Sequence, residues 1–329
     1  MNKKKPEKEK QRTILIFGVN SFVGANIAEY LKNDFRIVGT YHKEKCSADG
    51  ILTIPCDVLV KDEVQLVIYA FKPDICIYAV GVNSVYGCSE YTKNAEALNT
   101  SGLFNVAEFC QRYRAQICYL STHFVFSGDQ KKYIEMDIPD PNTVLGRTKS
   151  SAEFYLQKTS LNYIIFRCCH LYGRNPSAQQ DTWFEKTQLN LQDGNSIKAD
   201  TAVKSGFLDI DYLSMLMKVC FEKKVVNRLF QISSQDALTY FDFAKLYCKQ
   251  FGENENLVNP DIWPFKTEVG QKISEQQNYL LDSSNIEGFL NITVPTIEES
   301  IEYTFNKYRG EKDTTSKTKK TKKGGVSYI

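Results

Sequence analysis

Between Thr13 and Cys168, short unbroken apolar runs alternate with stretches in which apolar residues recur every three or four positions. Runs of the first kind suit strands buried on both faces, and the second kind suits helices lying on a sheet. The pattern predicts strands over Thr13–Phe17, Phe35–Tyr41, Ile51–Pro55, Ile75–Val80, Ile117–Leu120 and Tyr163–Cys168. Helices are predicted over Val23–Leu31, Val60–Phe71, Asn94–Tyr113 and Gly146–Lys158. Such alternation implies an α/β fold, a doubly wound parallel sheet covered by helices on both faces. Beyond Cys168 the alternation weakens, which predicts a smaller C-terminal lobe built from Thr182–Gln192, Ser196–Asp209 and Trp263–Asp282. Tyr212–Phe221, Phe230–Ser233 and Tyr240–Phe251 are expected to return to the main body. The chain thus divides into a basic, disordered start (1–12), an α/β core (13–170), a mixed region holding the smaller lobe and elements returning to the core (171–305) and a basic, disordered tail (306–329).

Charge modifies this picture at the ends. The chain carries 41 basic and 39 acidic residues, a net charge of +2. Residues 1–12 hold six basic and two acidic side chains, and residues 306–329 hold eight and two, which leaves the body near −8. A body of that sign argues against specific nucleic-acid binding. No apolar run approaches the ~20 residues of a membrane-spanning helix, and the lysine-rich start lacks a secretory apolar segment, so a cytoplasmic protein is expected. Ten cysteines occur without a C-x-x-C pair and with only three histidines, which predicts buried free thiols and no metal site.

The chemistry begins where the first strand meets the first helix. Gly18-Val19-Asn20-Ser21-Phe22-Val23-Gly24 sits where helix-end amides can receive a pyrophosphate, as in a Rossmann fold. Gly18 permits the tight turn, Gly24 permits close helix–sheet packing, and Ser21 stands where a middle glycine is usual. At the tip of the second strand, His42 and Lys43 precede any carboxylate, which favours NADP(H) over NAD(H) because a cation accepts the 2′-phosphate. Asp57 and the adjoining Val58 are expected beside the adenine. Ala79, Val80 and Gly81 leave room for the cofactor to cross the sheet edge.

Further along, Leu120-Ser121-Thr122-His123-Phe124-Val125-Phe126-Ser127-Gly128, then Tyr133-Ile134-Glu135, then Gly146-Arg147-Thr148-Lys149 occur in order. Together with Asn99-Thr100-Ser101-Gly102, Arg167, Leu171-Tyr172-Gly173 and Leu281-Asp282-Ser283-Ser284, they resemble the dTDP-4-dehydrorhamnose reductase family of extended short-chain dehydrogenases/reductases. The regulatory β-subunit of methionine adenosyltransferase is a relative of that family. The resemblance runs from about Thr13 to Phe305. It implies hydride transfer from a nicotinamide to the 4-keto group of a dTDP-linked deoxysugar, aided by a Thr, a Tyr and a Lys. Thr122 matches the first and Lys149 the last, but the tyrosine position is Leu145.

Leucine has no proton to give, and loss of a general acid typically costs about 10²–10⁴ in rate. Lys149 can still hold the nicotinamide ribose and Thr122 can still orient a carbonyl. His123 is a candidate substitute acid, provided the chain has left strand geometry by that point. Arg167, Trp183 and Lys204 are candidate substrate contacts, whereas Tyr172 is expected to pack or to line the substrate and Tyr133 to hold a loop position. Two readings follow: a sugar-nucleotide reductase with impaired or rearranged catalysis, or a non-catalytic binding protein, similar to the β-subunit, that contacts a protein partner or a second copy of itself.

Overall fold

The computed structural model describes residues 11–46, 49–177, 180–262 and 276–309. Most of the two charged ends, and residues 263–275 of the expected lobe segment Trp263–Asp282, lie outside the described residues.

The core alternates as the apolar pattern requires: β1 (Thr13–Phe17), α1 (Phe22–Leu31), β2 (Arg36–Tyr41), β3 (Leu52–Pro55), α2 (Lys61–Phe71) and β4 (Ile75–Tyr78). There follow α3 (Val85–Glu90), α4 (Thr92–Glu96), α5 (Gly102–Tyr113), β5 (Gln116–Thr122), α6 (Val144–Thr159) and β6 (Tyr163–Cys168). Every residue of β1 and β4 is buried, so neither strand needs polar alternation. The strand Arg228–Ile232 completes a seven-stranded parallel sheet, in the order Arg228–Ile232, β6, β5, β4, β1, β2, β3. The order reverses between β1 and β4, which opens a crevice at the carboxyl ends of these strands.

Two apolar layers cover the sheet. One includes Ile14, Ile16, Ile27 and Met217, and the other Leu15, Phe17, Val106 and Leu156. Both use alternate residues of the same strands, as opposite faces of a sheet demand.

The long helix expected over Asn94–Tyr113 is interrupted. Ala97–Ser101 forms a π-turn between α4 and α5, and such turns are frequent at functional sites. Here the widened turn carries Asn99, which is fully buried. Its amide accepts from Val82 N at 2.9 Å and donates to Val82 O and Thr148 Oγ1, each at 3.0 Å. The loop after β4 is thereby tied to α6.

The second lobe has its own core, in which Tyr172, Phe184, Ile197 and Phe207 meet Phe243, Tyr247 and Ile301. The helix Tyr240–Phe251 belongs to this core, so its expected return to the main body is corrected. Its buried face is largely aromatic and interlocks with Phe184 and Phe207 rather than with the sheet. The helix Ile210–Glu222 and the strand Arg228–Ile232 do return to the main body, on α1 and β6 respectively.

Candidate functional site

Ser21 explains how the opening turn is built without its middle glycine. It caps α1, accepting from Gly24 N at 3.0 Å and donating to Gly18 O at 2.8 Å. The turn is held against β2 by bonds from Gly18 N and Val19 N to Thr40 O, at 3.1 and 2.9 Å. Gly18 has φ +82°, and a Cβ there would come within 2.9 Å of Ala79 O; a Cβ on Gly24 would collide with Gly18 O. Phe22 N and Val23 N find no acceptor among the described residues. They remain available at the positive end of a helix, the arrangement a diphosphate needs.

Two cavities flank this turn and share Ser21, Phe22, Ala79 and Val80. The first, about 730 Å³, is also bounded by Gly18, Asn20, His42, Lys43, Asp57, Val58 and Gly81. His42 Nε2 lies 3.5 Å from Asp57 Oδ2, whose other oxygen accepts from Leu59 N at 2.9 Å. The second, about 490 Å³, contains Val23, Thr122, His123, Leu145, Lys149 and Trp183 in its wall. A dinucleotide spanning both would have its adenosine end at the cationic strand tip and its nicotinamide end beside Thr122 and Lys149.

Lys149 Nζ donates to Leu120 O at 3.0 Å and lies 5.2 Å from the centre of the Tyr119 ring. It is only 5% exposed, and burial lowers its pKa to about 8. One helical turn earlier, Leu145 is buried in an apolar cluster with Val85, Phe124 and Tyr279. The place from which a tyrosine would donate is therefore filled with hydrocarbon.

His123 does reach the cavity, because β5 ends at Thr122 and a single 3₁₀ turn, His123–Val125, follows. Its Nδ1 is 3.1 Å from Cys168 O. A carbonyl can only accept, so Nδ1 carries the hydrogen and the neutral ring's Nε2 is bare. Burial lowers the His123 pKa to about 4, which keeps the ring neutral at pH 7. The expectation that His123 could act as the acid is corrected because its one hydrogen is held by Cys168 O and its bare Nε2 is buried without a partner.

Arg167 and Lys204 lie in neither cavity wall. The Arg167 guanidinium is buried against Glu153, 2.8 Å from Oε2, with side-chain exposures of 3% and 1%. Lys204 lies on the short strand Val203–Ser205, where its carbonyl accepts from Tyr279 N at 2.8 Å. Tyr172 is packed in the second lobe, with its hydroxyl 2.7 Å from Ser300 Oγ. Tyr133 Oη accepts from Gly128 N and Asp129 N, both at 2.9 Å, and so closes its own loop.

Two residues absent from the sequence reading also line the second cavity. His170 begins the short strand His170–Tyr172, and Tyr240 begins the helix Tyr240–Phe251. His170 Nδ1 is 3.0 Å from Tyr240 Oη, and the His170 ring meets that of His123 edge-on at 4.5 Å. His170 was detectable as one of three histidines, placed two residues before the Tyr172-Gly173 pair. Nothing local marks Tyr240.

The parallel sheet, its switch point and the capped turn define a dinucleotide-fold protein of the extended short-chain dehydrogenase/reductase class. More narrowly, residues 12–309 match the family model described as the RmlD substrate binding domain, and the chain belongs to that family. It is 29% identical over 259 residues to dTDP-4-dehydrorhamnose reductase of Aggregatibacter actinomycetemcomitans, covering 75% of this chain and 83% of that protein. It is 21% identical over 285 residues to the methionine adenosyltransferase 2 β-subunit of Bos taurus, covering 84% and 82%. Among solved structures, dTDP-4-dehydrorhamnose reductase of Bacillus anthracis in complex with NADP superposes with a TM-score of 0.76 at 20% identity, covering 90% of this chain and 99% of that one.

Proposed function

We propose that the chain binds a nicotinamide dinucleotide, NADP(H) ahead of NAD(H), and is a reductase of the dTDP-4-dehydrorhamnose type whose turnover is impaired by Leu145. The observation that carries this reading is the pair of cavities joined at Ser21, Phe22, Ala79 and Val80. Their shared wall gives a dinucleotide one continuous seat, with Phe22 N and Val23 N for its diphosphate. His42 and Lys43 would meet a 2′-phosphate and account for the NADP(H) preference. When bound, the cofactor supplies the hydride. Thr122 orients the carbonyl of a nucleotide-linked 4-keto sugar, Trp183 lines its ring, and Lys149 holds the nicotinamide ribose. The unpaired, buried thiols fit a cytoplasmic setting.

Leu145 favours a second reading, a non-catalytic protein that binds cofactor and contacts a protein partner or a second copy, as a regulatory subunit does. One assay separates the two. NADPH and dTDP-4-keto-6-deoxymannose are mixed with the unaltered chain and with Leu145→Tyr, and nicotinamide absorbance is followed. Slow oxidation that accelerates in the variant supports the reductase. Binding of NADPH with no oxidation by either form supports the regulatory reading, and no binding of NADPH or NADH sinks both.

A further inference from the structure

We propose that the His170–Tyr240 pair supplies the proton that Leu145 cannot, making His170 a catalytic residue and Tyr240 its positioning partner. This rests on the reading of the second cavity as a carbonyl-reduction site.

Several polar groups of the cavity wall are already committed, while Thr122 and the Lys149 ammonium keep hydrogens for the roles given to them above. Tyr78 Oη donates to Leu98 O, Lys149 Nζ to Leu120 O, and His123 Nδ1 to Cys168 O. Ser21 Oγ donates to Gly18 O. Leu145 has none to offer. The His170–Tyr240 pair stands on the lobe side of the same cavity, with His170 Nδ1 3.0 Å from Tyr240 Oη. His170 Nε2 meets no partner among the described residues, and unlike His123 Nε2 it is not among their fully buried unpartnered atoms. Burial lowers the pKa of His170 and raises that of Tyr240, so the resting pair is a neutral imidazole and a neutral phenol. With the phenol donating to Nδ1, the second hydrogen of the pair sits on Nε2.

The step balances with a reduced nicotinamide dinucleotide as hydride source. Hydride adds to the carbonyl carbon and the C=O π pair moves to oxygen. That oxygen takes the Nε2 proton as the Tyr240 proton passes to Nδ1. The ring ends neutral in its other tautomer, and the pair is reset when water protonates Nε2 and the Nδ1 proton returns to the phenolate, leaving hydroxide to the solvent.

The arrangement is tested first without turnover, by ¹⁵N NMR of the histidine-labelled full chain at pH 7. A proton on His170 Nε2, with a hydrogen-bonded and unprotonated Nδ1, is expected; a proton on Nδ1 overturns the proposal. NADPH oxidation with dTDP-4-keto-6-deoxymannose is then compared across variants whose folding is checked by near-ultraviolet circular dichroism. Tyr240→Phe keeps the ring packing, and His170→Asn keeps an acceptor near the Nδ1 position. Each is expected to lower turnover by about 10²-fold or more, with NADPH affinity unchanged. In a Leu145→Tyr background, His170→Asn is expected to cost less than about threefold, because the family's own donor has returned. An equal loss in both backgrounds overturns the proposal, as does oxidation by Leu145→Tyr with none by the unaltered chain. Failure to bind NADPH condemns the cofactor reading instead, and the NMR result still decides the His170 assignment.

Discussion

Lys149 is an ammonium group with a single hydrogen bond and almost no water around it. Its pKa falls from 10.5 to about 8 in the folded chain, so between those values the unfolded chain binds more protons than the native one. Stability therefore rises as pH increases through that window, and the penalty is constant below pH 8, where both states are charged. Lys149→Met should remove this rise, worth about 3 kcal/mol in total. Urea unfolding of both proteins from pH 7 to 10.5 checks it; parallel curves would mean that Lys149 is not desolvated. Arg167 presents the opposite case, a buried charge paired through Nε and Nη2 with one carboxylate. Arg167→Met strands the Glu153 carboxylate and should cost about 3–5 kcal/mol, measured as a lower denaturation midpoint. The motif containing Arg167 was legible in sequence, but its role was not. Glu153 lies 14 residues earlier on another element, and only the apposition of α6 and β6 reveals the pair.

At the scale of elements, apolar periodicity located β1 to β6 to within two residues at either end; for all but the edge strand β3 this is because strands buried on both faces have no other way to be written. It could not foresee the π-turn, since one extra residue leaves hydrophobic spacing almost unchanged. Nor could it assign the helix Tyr240–Phe251 to a lobe, because amphipathicity says that a face is buried and not against what. That gap also hid the His170–Tyr240 contact, which exists only once the helix start and the strand after β6 have been brought together. Asn99 offers a direct test of the π-turn. Asn99→Ala leaves the Val82 amide and carbonyl unpaired near the cavity and should destabilise the chain by about 2 kcal/mol. It should also weaken NADPH binding, because the loop after β4 loses its tether to α6. A variant as stable and as tight-binding as the parent would make the widened turn incidental. The start of α6 is equally constrained: a Cβ on Gly146 would collide with Phe124 O. Gly146→Ala should push α6 off the turn that carries His123, and a lowered melting temperature would register it.

For the whole molecule, the decisive property is that one ligand would touch both halves of the crevice. A dinucleotide that binds only the native state stabilises it by about 2.7 kcal/mol at a hundred times its dissociation constant. In a chain of this size that corresponds to a rise of about 4 °C in melting temperature. The rise discriminates between cofactors, because the two differ only where the strand tip meets the adenosine ribose. His42 and Lys43 stand there with Asp57, and the Asp57 carboxylate lies 3.5 Å from His42, so Lys43 is the cation without an anionic competitor in that pair. NADPH should therefore raise the melting temperature more than NADH at equal concentration. Lys43→Glu should reverse the order, since a carboxylate repels the 2′-phosphate and can accept from a 2′-hydroxyl. The effect is electrostatic and partly exposed to solvent, so the NADPH advantage should also shrink as salt is raised from about 0.01 to 1 M. An advantage that survives both Lys43→Glu and high salt would place 2′-phosphate recognition elsewhere in the first cavity, and the preference would then have to be sought among its uncharged residues.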